Sequence, residues 1–423
     1  NSLHYQNNKG RLYIRQKLCK ISGSPMDYHF LDWSRNMSEE LNASEVKRSI
    51  WHNRIFIVIC IASVIVAVGI FILLVNGYIN KRYTGYEVVK EGQRQDAGAE
   101  KYLTYDGDFI KYSKDGISGV NINGKTLWTG SYEMSNPVVV IQGQYILVAD
   151  IGGKDAVIYN GKHEATELSV DYEIKQADVS GQGLVALLLE DTSSDMINIY
   201  NPYDVSSKLL VKIPTNVDDG YTVCMAISPD GTSVVASYIC IVDGNVESRV
   251  VFYNFSDVGK NSDCIVGAKN YRKALVTDVH FLSDDQVVLF SNQGFYVWKG
   301  MKQPKQIIQK KVRQNIKSVF YGSDNIGMVL ETGSKKTPYR MDIYNLKGTR
   351  ISSFDFAEDY NDIALSENEI LFRSAKECGI FRLNGVLRFH TTVEEGVDYF
   401  FRGSKRNRYY LFNDTTIQEI KLK

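Results

Sequence analysis

The sequence predicts an all-β fold, an about eight-bladed WD-repeat-like β-propeller, behind one N-terminal transmembrane helix. Three observations carry that reading. The run Ile55–Val75, IFIVICIASVIVAVGIFILLV, holds no charged residue and no proline. Beyond Gly77 the text changes to short β-branched and aromatic runs punctuated by Gly, Asn and Asp, with no sustained helical period. Those runs recur as a unit about 40 residues long, within the range of propeller blades.

As a helix the apolar run spans roughly 31 Å, which matches a bilayer core. A core helix of a soluble protein needs fewer apolar residues and shows a polar stripe, so 55–75 is expected to sit in the lipid bilayer. No small-residue cleavage pattern lies between Gly69 and Asn80, and the run therefore reads as an uncleaved signal anchor. Trp51 on one side and Tyr78, Tyr83 and Tyr86 on the other suit the two membrane interfaces. Lys47, Arg48 and Arg54 precede the run and Lys81 and Arg82 follow it, a bias toward a cytoplasmic N-terminus. The tail 1–54 strengthens that bias with nine Lys/Arg against five Asp/Glu, net +4. It is expected to be a largely disordered cytoplasmic tail. Within it, Met26 and Met37 are candidate starts, Ser38-Glu39-Glu40-Leu41 carries helix-start chemistry, and the basic stretch 1–25 reads as a flexible tail or an upstream translation artefact rather than an amphipathic or transit-like segment. Ser63 and Ala67 form one small-xxx-small pair, slender grounds for helix dimerisation, and the oligomeric state stays open.

After a juxtamembrane linker over 76–83, residues 84–423 are assigned to the propeller, outside the membrane. Eight hairpins open its units: YLTYDGDFIKYS, VVVIQGQYILVAD, ADVSGQGLVALLL, MAISPDGTSVVAS, VHFLSDDQVVLFS, SVFYGSDNIGMVL, DIALSENEILFRS and YFFRGSKRNRYYLFN. In each, the second strand is apolar on both faces, as a strand sandwiched between neighbouring blades must be, and Gly, Asp or Asn makes the turn. A third strand follows in seven of them, among them INIYN, VVFYN and MDIYN, whose tyrosines are expected to pack between blades. The last unit shows only three strands, whereas Tyr86–Glu91, YEVVKE, precedes the first unit without a blade of its own. That count predicts that 86–91 joins the last blade as its outer strand and closes the ring, removing an open edge.

Chemistry is sparse. Among the histidines outside the membrane no HxH or HExxH spacing occurs, and the six cysteines contain no CxxC, so no metal is expected. Counting outward from Pro229-Asp230-Gly231 places Cys224 opposite a residue near Ser237 rather than Cys240, which argues for buried free thiols. Asp278 and His280 share one face of a strand; the pair is either acid-base machinery near the channel or, the preferred reading, a satisfied structural histidine. Asp106-Gly107-Asp108 and Asp218-Asp219-Gly220 lack an EF-type frame and read as turns. NGKTLWT and KDGISG share only part of the turn motifs of quinone-cofactor and neuraminidase propellers, so no cofactor is assigned. Segment 76–423 carries 40 Lys/Arg against 44 Asp/Glu, which gives no reason to expect nucleic acid. The longest loops, in the fourth and sixth units, mark the rim, and their polar residues Asp243, Asn245, Glu247, Lys335, Lys336 and Tyr339 are the candidate binding residues.

The segments GKTLWTGSYEMSNPVVVIQGQYILVADIGG, VSGQGLVALLLED, AISPDGTSVVASY and IQEIKLK resemble an uncharacterised, domain-of-unknown-function family of single-pass bacterial membrane proteins with an outer propeller. The resemblance covers approximately 84–423. It implies a clostridia-like, Gram-positive origin and an envelope location, and it brings no activity and no catalytic residues. The tail before residue 37 is longer than that family's short basic tail. A propeller without a catalytic constellation is expected to be a non-enzymatic binding or scaffold module for an envelope protein or glycan. The alternatives are an envelope glycan hydrolase or lyase working at the ring axis, and a sensor signalling through the helix.

Overall fold

The computed structural model describes residues 56–77, 80–94, 99–161, 164–191, 194–215, 220–256, 258–259 and 263–423. The tail 1–54, with its candidate starts, its cysteine and the basic residues Lys47, Arg48 and Arg54, lies outside them. So do Tyr78, His163, Asp218 and Asp219.

Two units make up the chain, divided between Lys81 and Arg82. In the first, Phe56–Gly77 form one 22-residue helix, long and apolar enough to cross a membrane. It runs two residues past the apolar stretch, because Asn76 and Gly77 still close the ladder before the chain turns at Asn80, whose N–H bonds Asn76 O at 2.9 Å.

The second unit consists of eight four-stranded antiparallel sheets. Blades 1 to 7 cover 101–131, 137–169, 173–214, 221–272, 276–311, 316–356 and 362–392, and blade 8 combines 399–422 with 86–93. In every blade the strands run A to D outward from the axis. Apolar residues fill both faces of the B strands: Ile146 to Ala149, Val185 to Leu189 and Val287 to Leu289 are at most 2% exposed. The result is eight hydrophobic clusters, each shared by two neighbouring blades, that continue without a gap around the ring. Tyr200, Tyr253 and Tyr344, the tyrosines of the third-strand motifs, are 5–8% exposed within them. Packing within a blade also depends on missing side chains. A Cβ at Gly327 would stand 2.0 Å from the Phe320 ring, so only glycine lets that ring lie flat on the sheet.

Tyr86–Gln93 pairs antiparallel with Thr416–Leu422, Tyr86 facing Leu422 and Gln93 facing Thr416, with a bulge between Val88 and Lys90. The strand nearest the N-terminus thus supplies the outer strand of blade 8. Just past it, Arg94 pins the seam: its guanidinium pairs with Asp398, donates to Asn413 O at 2.6 Å and lies 5.1 Å from the centre of the Tyr102 ring of blade 1. The entering chain is fixed as well. Tyr83 N–H donates to Arg388 O at 2.8 Å, and the Tyr83 hydroxyl accepts from Asn407 Nδ2 at 2.9 Å. Beneath it lies a buried charge network in which Glu369 takes Arg388, Arg402 and the Tyr409 hydroxyl.

Cys224 faces Ser237 across the hairpin of blade 4, and Cys60, Cys224, Cys240, Cys264 and Cys378 are free thiols. Burial pushes the Cys224 thiol up to about 12, which keeps it protonated and unreactive.

Candidate functional site

Strand alternation gives the ring two faces. The A–B and C–D turns emerge on one, and the B–C hairpins and the links between blades emerge on the other. The loops at 243–247 and 332–338 are both B–C hairpins, so they share a face, two blades apart. The chain enters the ring on the opposite face, where Gly85 O accepts from Lys423 N–H beside the end of the C strand of blade 8.

The blade 4 hairpin stands out from that face. Its arms, Ser233–Val242 and Asn245–Asn254, have ten residues each and are the longest strands among the described residues. Asp243 and Gly244 turn it with φ of 50° and 76°, a tight turn of the I′ kind. Asp243 and Asn245 are exposed at the tip. Glu247 is a different case: it is 7% exposed, with a carboxylate oxygen 3.9 Å from Arg272 Nε, and forms the buried wall of the hairpin rather than a contact open to a partner. The other side of the hairpin is apolar. Ile241 faces Val246 and Ile239 faces Tyr221, so by period two these four occupy one surface, with Ile241 77%, Tyr221 75% and Val246 48% exposed. Choosing polar residues in this loop overlooked them. The signal was present in the alternation IleCysIleVal continuing up to a turn with no blade left to cover it.

In blade 6, Lys335 and Lys336 are exposed, and Ser334 Oγ accepts from the N–H groups of Lys336 and Thr337, which shapes the loop. Tyr339 is half-buried, packed against Phe356 and Tyr360 at centroid distances of 5.3 and 5.5 Å. Lys317 Nζ lies 4.0 Å from its ring centre and 4.6 Å from that of Tyr360, and the Tyr339 hydroxyl donates to Asp359 at 3.0 Å. That hydroxyl, the Tyr360 N–H and Lys317 hold the Asp359 carboxyl below its usual range. This cation–aromatic patch belongs to the same face as the hairpin.

A second feature is a cleft of about 280 Å³ at the axis, walled by the A strands of blades 2 to 6. Inner strands expose edge N–H and C=O groups to the channel, and neighbouring side chains satisfy them. Gln176 of blade 3 accepts from Met225 N–H and donates to Met225 O, both at 2.9 Å, and Asp178 accepts from Ile227 N–H at 2.9 Å. These contacts staple blade 3 to blade 4. Blades 5 and 6 are joined by His280, whose Nε2 lies 2.8 Å from Asp278 Oδ1 and whose Nδ1 lies 2.6 Å from the Tyr321 hydroxyl. The Tyr321 ring stacks on the imidazole at 4.2 Å. His280 therefore has a partner at each ring nitrogen. Burial pushes the Asp178 carboxyl up to about 6 against the opposing pull of two backbone N–H groups and His280. Burial also raises Tyr321, aided by Asp278 and Asp178, so its phenol stays neutral.

A family model described as a family of unknown function (DUF5711) matches residues 79–422. The chain belongs to the DUF5711 family. A search of curated protein sequences finds no match. Solved structures similar to this DUF5711 ring include BamB from Moraxella catarrhalis, at 11% identity and a TM-score of 0.50, covering 80% of this chain and 100% of that one. Sqt1 from Saccharomyces cerevisiae aligns at 11% identity and a TM-score of 0.52, over 81% and 99%. Sqt1 from Chaetomium thermophilum, solved bound to the N-terminus of the ribosomal protein L10, aligns at 10% and 0.53, over 80% and 100%. At such identities the likeness concerns the fold of the DUF5711 ring, an eight-bladed propeller.

Proposed function

We propose that this DUF5711 protein is a membrane-anchored, extracytoplasmic, non-enzymatic binding or scaffold module that engages a cell-envelope protein through the face bearing its B–C hairpins. The N-terminal tail is cytoplasmic in this reading and the helix Phe56–Gly77 is the anchor. The observation that carries it is the projecting blade 4 hairpin with Tyr221, Ile241 and Val246 exposed on one surface. Large exposed aliphatic side chains gathered on one surface mark interaction sites. An aliphatic strip suits a protein surface better than a glycan, which needs hydrogen-bonding side chains beside its aromatic platforms. A ring of similar fold holding a protein segment, as Chaetomium Sqt1 does, supports the same reading. The axial cluster supports binding over hydrolysis or elimination, because both His280 nitrogens and both Asp178 oxygens already have protein partners.

The test is the double variant Ile241→Asp, Val246→Asp, crosslinked in native cells and purified by its tail. A discrete protein adduct of the wild type is expected to disappear in the variant while its thermal midpoint stays unchanged. An adduct of undiminished yield refutes the assignment.

A further inference from the structure

We propose that the axial cleft binds a small ligand through a primary ammonium group. The argument is an inventory of donors and acceptors. A ring nitrogen 2.8 Å from a carboxylate oxygen is the one assigned the proton, so His280 Nε2–H donates to Asp278 and, in that tautomer, Nδ1 accepts. The Tyr321 hydroxyl, 2.6 Å from Nδ1, spends its proton there and keeps its oxygen lone pairs as acceptors. Asp178 uses one lone pair on each oxygen for Val179 N–H and Ile227 N–H, both at 2.9 Å, and keeps the others free. Both ends of the Gln176 amide are engaged by Met225.

Among the described residues no lysine or arginine lines the cleft. Apart from the amide N–H groups of Gln142 and Gln176, its polar side chains offer acceptors and a negative charge, and Tyr321 and Phe281 are among its lining residues. A group with three N–H donors and a positive charge matches that surface, by charge pairing with Asp178 and by hydrogen bonding to Asp178 and Tyr321. An anion meets Asp178 with nothing to offset it. A neutral hydroxyl gains no charge pairing. The cleft volume, about 280 Å³, limits the ligand to a small molecule or a single projecting group. The titratable groups gathered at the cleft are Asp178 from blade 3, Asp278 and His280 from blade 5 and Tyr321 from blade 6. Since the Asp178 carboxyl titrates near 6, the ionised fraction available to an ammonium falls about tenfold between pH 7.5 and pH 5.

The experiment is calorimetric titration of the detergent-solubilised full chain with three probes, namely ethylammonium, glucosamine and N-acetylglucosamine. Glucosamine or ethylammonium is expected to bind and N-acetylglucosamine, which lacks the charge, to give no heat. Binding by ethylammonium alone points to an alkylammonium source, and binding by glucosamine to an amino sugar; both support the proposal. Affinity is expected to drop about tenfold from pH 7.5 to pH 5 and at least tenfold in Asp178→Asn. Tyr321→Phe, which removes one acceptor while keeping the ring, should weaken binding several-fold and serves if Asp178→Asn disturbs the blade 3 to blade 4 staple. Equal binding of the acetylated and free sugars, binding unaffected by both variants, or no heat from either ammonium probe overturns it.

Discussion

Asp178 should make the ring less stable as the solution turns from mildly acidic to neutral, the reverse of the usual carboxylate contribution. Its carboxyl is raised from 3.8 to about 6, chiefly by burial. A group whose folded value lies above its unfolded value contributes stability that is fully present below 3.8 and is lost as pH rises through about 6. A shift of about two units corresponds to about 3 kcal/mol, and because Asp178 keeps part of its surface in the lumen, about 1–3 kcal/mol is the working range. The Asp178→Asn variant isolates this effect. Asparagine retains one acceptor oxygen for the two N–H groups that Asp178 serves, so it loses a hydrogen bond worth about 1 kcal/mol, but that loss does not depend on pH. Urea unfolding of the detergent-solubilised chain, wild type against variant, at pH 7.5 and pH 4 gives a double difference. The wild type is expected to gain on the variant by about 1–3 kcal/mol as the pH falls. A difference that is flat with pH, or that moves the other way, refutes the burial of this carboxylate.

Three more outcomes follow from the packing. Glu369→Ala leaves the Arg388 guanidinium, whose side chain is 7% exposed, without its carboxylate, and should lower stability by about 3–5 kcal/mol in denaturant titration. Gly327→Ala drives a methyl group into the Phe320 ring on the facing strand of blade 6 and should cost about 1–3 kcal/mol, read as a lower thermal midpoint. Deleting 84–92 uncovers the edge of Thr416–Leu422, and should lower the thermal midpoint and promote association between chains, measured by light scattering; an unchanged midpoint contradicts the role of that strand in closing the ring.

Much of the fold was legible because each blade repeats one physical solution. A B strand flanked by two sheets must be apolar on both faces, and runs such as VALLLED and VVLFS state this directly; the turn residues between them fix the hairpins. The same counting puts the partner of Cys224 near Ser237, and the strand pairing places it there. The candidate site was less legible. Exposed polar residues at loop tips look alike in sequence, and whether one is free depends on the register of its arms: Glu247 turns inward, while Ile241, one strand across, turns out. The axial cluster shows the same limit. Asp278 and His280 lie on one strand and were visible as a pair, but Tyr321 and Asp178 come from other blades, and only closure of the ring brings these strands to one cleft. The buried Glu369–Arg388–Arg402 network likewise joins residues with no sequence pattern in common.

The most direct test of partner binding through the B–C face is a photo-crosslinking map in native cells. A photoreactive residue placed singly at Asp243, Asn245, Lys335 and Lys336 samples that face, and one placed at Asp106, Glu367 and Lys405 samples the A–B turns. Adducts of one discrete mass confined to the first group, strongest at the blade 4 tip, are the predicted result. Adducts confined to the A–B turns, or spread equally over both faces, contradict it.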